Sequence, residues 1–243
     1  MILNLKRKPL IITFHQFLKQ IGSDAMLIMA CIAPVLSGLA FRFGIPVAEK
    51  LLKKQYALEE VLTPFYQIFD LFLATITPLM YCFIAAMVIL GEIDDGISNY
   101  LAVTPLNKNG YLLSRLGIPM GISFIITIVI LSIFSLTKPS FGLIVVIAYL
   151  SVIISLIEAM LVISLSTNKV EGMAVTKLTG FFIMGIPVPY FVHGDIQYIL
   201  SILPSFWLSK FVIDSKVIYI IWFLLSSTIW ILFLYRKFKQ KFK

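Results

Sequence analysis

Residues 68–91 read IFDLFLATITPLMYCFIAAMVILG, and Asp70 carries the only charge in the run. As a helix rising about 1.5 Å per residue, a stretch of this length crosses a hydrocarbon core about 30 Å thick. A helix on the surface of a soluble domain keeps one polar face, and this run has none. The segment therefore predicts a membrane-spanning helix.

Working outward, the same reading recurs at 25–45 (AMLIMACIAPVLSGLAFRFGI), 116–136 (LGIPMGISFIITIVILSIFSL), 141–166 (FGLIVVIAYLSVIISLIEAMLVISLS) and 217–235 (VIYIIWFLLSSTIWILFLY). A shorter candidate, 174–192 (AVTKLTGFFIMGIPVPYFV), carries Pro187 and Pro189 near its end and reads as a broken span. The expectation is an all-α polytopic membrane domain over 1–243 with six transmembrane helices. Whole-chain composition agrees: 60% of the 243 residues are apolar, 13% are charged, and mean hydropathy is +0.99.

Ahead of the first span, Leu10, Ile11, Phe14, Phe17, Leu18 and Ile21 recur at helical spacing, with His15, Gln16, Lys19 and Gln20 opposite. This predicts an amphipathic interfacial helix within 1–24, turning into the bilayer near Gly22 to Asp24. No h-region with a cleavage site is evident, so the first span serves as its own insertion signal. Six crossings put both termini on one side. That side holds Lys6, Arg7, Lys8, Lys19, Lys108, Arg115, Lys169, Lys177 and the basic tail 236–243, the larger share of the 20 Lys and Arg, so both termini are expected in the cytoplasm. The net charge of +8 then reads as contact with anionic membrane lipids, and no nucleic-acid partner is expected.

Cys31 and Cys82 fall inside spans and read as small core residues; no disulfide framework or metal site is expected from two cysteines and two unclustered histidines. Glu158 lies deep in the fourth span, where an isolated carboxylate is costly, and reads either as a translocation-pathway group or as a hydrogen-bonded link between helices. Asp70 reads as an interfacial residue within reach of water at the outer end of its span. The stretch 193–207, HGDIQYILSILPSFW, reads as re-entrant or interfacial, interrupted by Pro204.

The most polar connection, 91–116, is GEIDDGISNYLAVTPLNKNGYLLSRL. Glu92, Asp94 and Asp95 are read as the start of a short amphipathic helix with Ile97, Tyr100 and Leu101 on its apolar edge, ended at Pro105. So short a helix needs support from lipid or from a partner's groove. The acids serve either to pair with a partner's basic residues or only to stabilise the helix start.

These residues resemble a known family. Gly91-Glu92-Ile93-Asp94-Asp95-Gly96, then Tyr100 to Leu106 with Thr104-Pro105-Leu106, then Tyr111-Leu112-Leu113, resemble the cytoplasmic segment of bacterial ABC-2 type transporter permeases. Asn168-Lys169-Val170-Glu171-Gly172 resembles a second cytoplasmic turn of that family, and Leu203-Pro204-Ser205-Phe206-Trp207 is a weaker third match. The resemblance implies the transmembrane subunit of a plasma-membrane exporter for an amphiphilic or hydrophobic compound such as a drug, an antimicrobial peptide or a lipid. It implies that 92–106 couples to a separate ATPase subunit, and that a second permease half completes the pathway. No G-x-x-x-x-G-K-S/T phosphate loop occurs, so ATP and Mg are expected on the other chain and no catalytic residue on this one. The alternatives are an ATP-independent secondary transporter, using Glu158, or an accessory membrane subunit. A membrane enzyme is disfavoured because no second acidic motif accompanies 92–95.

Overall fold

The computed structural model describes residues 7–56, 61–96 and 113–241, and every regular element among them is helical. In chain order these are α1 (Arg7–Ser23), α2 (Ala25–Leu39), α3 (Ile45–Tyr56), α4 (Tyr66–Asp94), α5 (Ile118–Phe134), α6 (Phe141–Leu165), α7 (Lys169–Thr179), α8 (Val188–Phe191), α9 (Pro204–Asp214) and α10 (Ile218–Lys241). Five stretches among the described residues are long and apolar enough to cross a membrane: Ala25–Gln55, Thr63–Asp94, Ser114–Phe134, Phe141–Leu165 and Ile218–Phe238. The expected sixth, 174–192, is not among them. The first reaches beyond its expected end at 45, because a π-helical turn at Ala40–Gly44 carries α2 straight into α3.

Burial sorts these helices. In Thr63–Asp94, 72% of the apolar window is buried, against 22% in Ala25–Gln55 and in Ile218–Phe238. Thus α4 and α6 form the centre, and α2 and α10 present apolar flanks outward, as a lipid solvent permits. The centre is lined with small polar residues, Thr75, Thr77, Ser151 and Ser155 among them, which let the backbones approach. Thr77 and Ser155 donate their hydroxyls to the carbonyls of Leu73 and Ser151, four residues back, and so need no partner outside their own helix.

Residues 169–191 fail as one helix but still run the length of the bundle. At one end the Lys169 amide meets Asp94; at the other Tyr190 donates to Gln67 (3.2 Å) and Phe191 stacks on Phe65 at 5.1 Å between centroids. Between them the chain passes from α7 through a 3₁₀ stretch, Gly180–Gly185, and a turn into α8. Two prolines supply no amide proton there, and Gly185 meets a neighbour at close range. A Cβ on Gly185 would lie 2.2 Å from Ser205 Oγ and 2.7 Å from the Phe206 amide nitrogen.

That neighbour is a short helical hairpin. After Gly194 (φ +82°) the chain folds back through a 3₁₀ stretch, Asp195–Ile202, and returns as α9. Ser205 donates to the Phe182 carbonyl and Ser209 to that of Ile186 (2.7 Å), which lays α9 along the broken passage. Its tip residue Leu203 is fully buried with Ile157, Met160, Phe182 and Leu234. Pro204 does not interrupt a helix here but opens one, at the position where its missing amide costs nothing.

Candidate functional site

Two polar motifs far apart in sequence meet at one end of the bundle. The acids 92–95 do not begin a helix: Glu92 and Asp94 occupy the last turn of α4, which runs on through Gly91 and stops when Gly96 turns left-handed at φ +69°. The Asp95 amide closes on the Gly91 carbonyl (2.9 Å) and the Gly96 amide on that of Ile93 (3.0 Å). This corrects the sequence expectation, since acids at a helix C-terminus lie at the unfavourable end of its dipole and need another source of support.

Glu92 finds that support in Arg115, in the π-helical turn that leads into α5. Arg115 donates from Nε to Oε2 (3.1 Å) and from Nη2 to Oε1, and Gln20 of α1 adds a longer contact to Oε1 (3.4 Å). Both charged side chains are 1% exposed, and the guanidinium lies 5.8 Å from the Phe17 ring centroid. Glu92 is therefore turned into the protein. Asp94, on the outer side of the same turn, accepts the Lys169 amide at the start of α7 (2.9 Å). The Lys169 ammonium pairs with Asp24, whose other oxygen caps α2 by accepting the Met26 amide (2.9 Å). The hydrogen bond from Lys169 holds the Asp24 carboxyl below its ordinary range.

The start of α7 is itself a built corner. Asn168 caps it by accepting the Glu171 amide (2.8 Å), while Glu171 reaches back to the amide and hydroxyl of Thr167 (2.5 and 2.6 Å). Gly172 lets the corner sit directly on α4: a Cβ there would lie 2.3 Å from Leu90 Cδ1. The structure thus joins the predicted turn residues Asn168, Lys169, Glu171 and Gly172 to the acids of α4. Asp24, Asp95, Gly91 and Lys169 edge a cleft of about 360 Å³ between them. Ile97, Tyr100, Leu101, Thr104, Pro105 and Leu106 lie outside the described residues.

Arg115, Asp24 and Gln20 were missed as site residues. The pairs they make span 23, 145 and 72 positions, so no local spacing announces them. The only signal was a buried-looking acid, Glu92, directly after an apolar run, which needs a cation somewhere.

Glu158 stands apart from this junction. It is buried in α6, and neither carboxylate oxygen has a hydrogen-bond partner among the described residues. At the far end of the bundle, Asp70 is not open to water as expected. It is buried and accepts the amides of Leu136 (2.7 Å) and Thr137 (2.9 Å) and the Thr137 hydroxyl (2.5 Å), pinning α4 to the turn between α5 and α6. Arg42 secures the same turn by donating to the Ser135 carbonyl (2.9 Å).

A central pair of long apolar helices, a broken helical segment at 169–191 with a hairpin laid along it, and a polar junction at one end invite comparison with known permeases. The family model described as fluoroquinolones export permease protein Rv2686c-like matches residues 17–236. The chain belongs to that family. It is a family of ABC-2 type permeases, in agreement with the resemblance carried by 91–113 and 168–172. Two curated relatives from Mycobacterium tuberculosis, the fluoroquinolones export permease protein MT2760 of strain CDC 1551 and Rv2686c of strain H37Rv, are each 24% identical to this permease over 190 residues. Those alignments cover 77% of this permease and 75% of each relative. No solved structure gives a significant match.

Proposed function

We propose that this permease is the transmembrane half of an ATP-driven exporter, moving an amphiphilic compound of the fluoroquinolone type outward across the plasma membrane. The match across 17–236 to a family described by such export is the observation that carries this reading. ATP and Mg are bound by a separate ATPase chain, and a second permease half, a copy or a homologue, completes the pathway. The end of the bundle holding Glu92 and Lys169 faces the cytoplasm with both termini.

The junction supports a transmission role on physical grounds. A partner shifts a membrane protein only as far as it binds one arrangement better than another, and the shift must reach the helices through rigid contacts. Here a push on the segment after Asp94 meets α4, α5 through Arg115, α7 through Lys169 and α2 through Asp24. Asp94 and Asp95, both exposed, are assigned to meet basic residues on the ATPase, and the apolar Ile97, Tyr100 and Leu101 to fill its groove. Glu158 is assigned to the translocation pathway, because neither carboxylate oxygen has a hydrogen-bond partner among the described residues.

The test is capture of the tagged permease from its native membranes into nanodiscs, for the wild type and a variant with Ile97, Tyr100 and Leu101 changed to alanine, followed by ATPase assay and drug-accumulation measurements in cells. Co-capture of an ATPase by the wild type alone, with raised drug accumulation in the variant, is the expected result. Drug export that persists when no ATPase is captured overturns the reading in favour of an ATP-independent carrier. Capture without any effect on accumulation favours an accessory subunit.

A further inference from the structure

The chain has three tryptophans, and all of them line one cavity of about 360 Å³ between the helical hairpin and α10. Trp207 comes from α9 and Trp222 and Trp230 from α10, and Ser201, Ile202, Leu225, Ser226 and Ile229 complete the walls, with the Ser226 hydroxyl donated to the Phe223 carbonyl. Trp207 and Trp222 lie nearly parallel, at 20° and 5.7 Å between centroids. Trp207 donates its indole N–H to the Ser201 carbonyl (2.7 Å), and Trp230 donates to that of Ile202 (2.9 Å). With those donors engaged by the hairpin backbone, the cavity is offered ring surface and aliphatic carbon. Trp207 is buried at 8% exposure, whereas Trp222 is 48% exposed at the cavity's open side.

Tryptophan near the end of a spanning helix commonly marks the headgroup level of a bilayer. That accounts for Trp222, one turn into α10, but not for Trp230. Trp230 lies 12 positions beyond Ile218, about 18 Å along the helix and roughly half-way through a hydrocarbon core. Aliphatic side chains fill such depths without the polar N–H that an indole must satisfy. A lipid chain, flexible and cylindrical, gains no stacking from the single aromatic wall that Trp207 and Trp222, stacked on each other, present. A rigid planar ring does, because offset stacking on indole adds to the burial of its area. The volume also falls in the range of pockets that hold drug-sized molecules.

We infer that this tryptophan-walled cavity is a lateral binding site, entered from the bilayer, for the flat aromatic nucleus of an amphiphile. The inference deepens the export reading by naming where cargo rests and which part of it is recognised. Trp222 acts as the outer stacking wall and Trp230 as the floor.

Because all three tryptophans line the cavity, the intrinsic emission of the full chain reports on this site without background. The experiment titrates norfloxacin, whose aromatic nucleus absorbs where tryptophan emits, into the chain in nanodiscs and into empty nanodiscs. A saturable loss of emission, about tenfold weaker in apparent affinity for Trp222→Leu and restored to within about threefold by Trp222→Phe, is expected. An emission loss that never saturates and follows partition into empty nanodiscs overturns the proposal. So does displacement of norfloxacin by dodecyltrimethylammonium, an aliphatic cation, as readily as by a second quinolone, which would make the cavity a lipid groove. The export reading fails separately: saturable binding by a chain that does not lower norfloxacin accumulation in cells refutes export and leaves the site standing. Lowered accumulation without saturable binding refutes the site alone.

Discussion

Neutralising Glu92 by Glu92→Gln removes the carboxylate paired with the Arg115 guanidinium, which is buried at 1% exposure. In the native junction the carboxylate takes two hydrogen bonds from Arg115 and a third contact from Gln20, so the pair is held by geometry as well as by charge. Breaking a buried pair from one side typically costs about 3–5 kcal/mol, while replacing both partners with apolar groups of similar volume is often neutral or stabilising. Glu92→Gln and Arg115→Met should therefore each lower the folded-to-unfolded ratio on the order of a hundred- to several-thousand-fold. The double variant Glu92→Met with Arg115→Met should return to within about 1 kcal/mol of the wild type. Unfolding of the full chain in mixed micelles on titration with a denaturing detergent measures the wild type and these three variants. If Glu92→Gln alone costs less than about 1 kcal/mol, the pair is hydrated as a surface pair would be, and the argument for a dry, rigid junction is wrong.

Gly185→Ala should destabilise the protein by about 1–3 kcal/mol, because its new methyl group meets the backbone of Phe206, whereas Gly180→Ala, with open space at its Cβ, should be tolerated; thermal stability of the two variants side by side checks this. Glu158→Gln should keep the fold and its melting temperature while changing drug accumulation in cells, and unchanged transport by a stable variant removes Glu158 from the pathway. For Asp24 the folded carboxyl sits below its ordinary value of 3.8, so its contribution to stability is present above that value and is lost as pH falls through the depressed one. An acid titration of unfolding should accordingly show a shallower loss in Asp24→Asn than in the wild type. Asp70→Asn should loosen the turn at Ser135, read as faster amide exchange at Leu136 and Thr137.

Length and apolarity made the spanning helices readable, since a bilayer imposes both on any helix that crosses it. Pro187 and Pro189 likewise announced that 174–192 would not form one continuous helix, and the apolar grouping at 193–207, read as re-entrant or interfacial, folds as a 3₁₀ stretch and the start of α9. What escaped was everything decided by pairing. Gly91 looked like the end of α4, yet a glycine with φ in the helical range does not stop a helix, and this one ran on until Gly96 adopted a positive φ. Glu92 was grouped with Asp94 and Asp95 by proximity in sequence, but successive helical positions point in different directions, and one of the three faces inward. Lys169 was read as part of a local turn, while its partners Asp24 and Asp94 come from other helices. Asp70 carries the same lesson: an acid near a helix start can serve the backbone of a distant turn instead of water.

The helical hairpin also sets an order for biosynthesis. Its Ile202 carbonyl is bonded by Trp230, and its Leu203 side chain packs on Leu234, so part of its wall arrives only when α10 has been made. Until α10 has been released laterally into the membrane, a backbone carbonyl at the hairpin tip faces hydrocarbon or lingering water. The hairpin should therefore settle only once α10 is in place, and a chain stopped before Ile218 should be a substrate for membrane quality-control proteolysis even though its earlier spans are already in place.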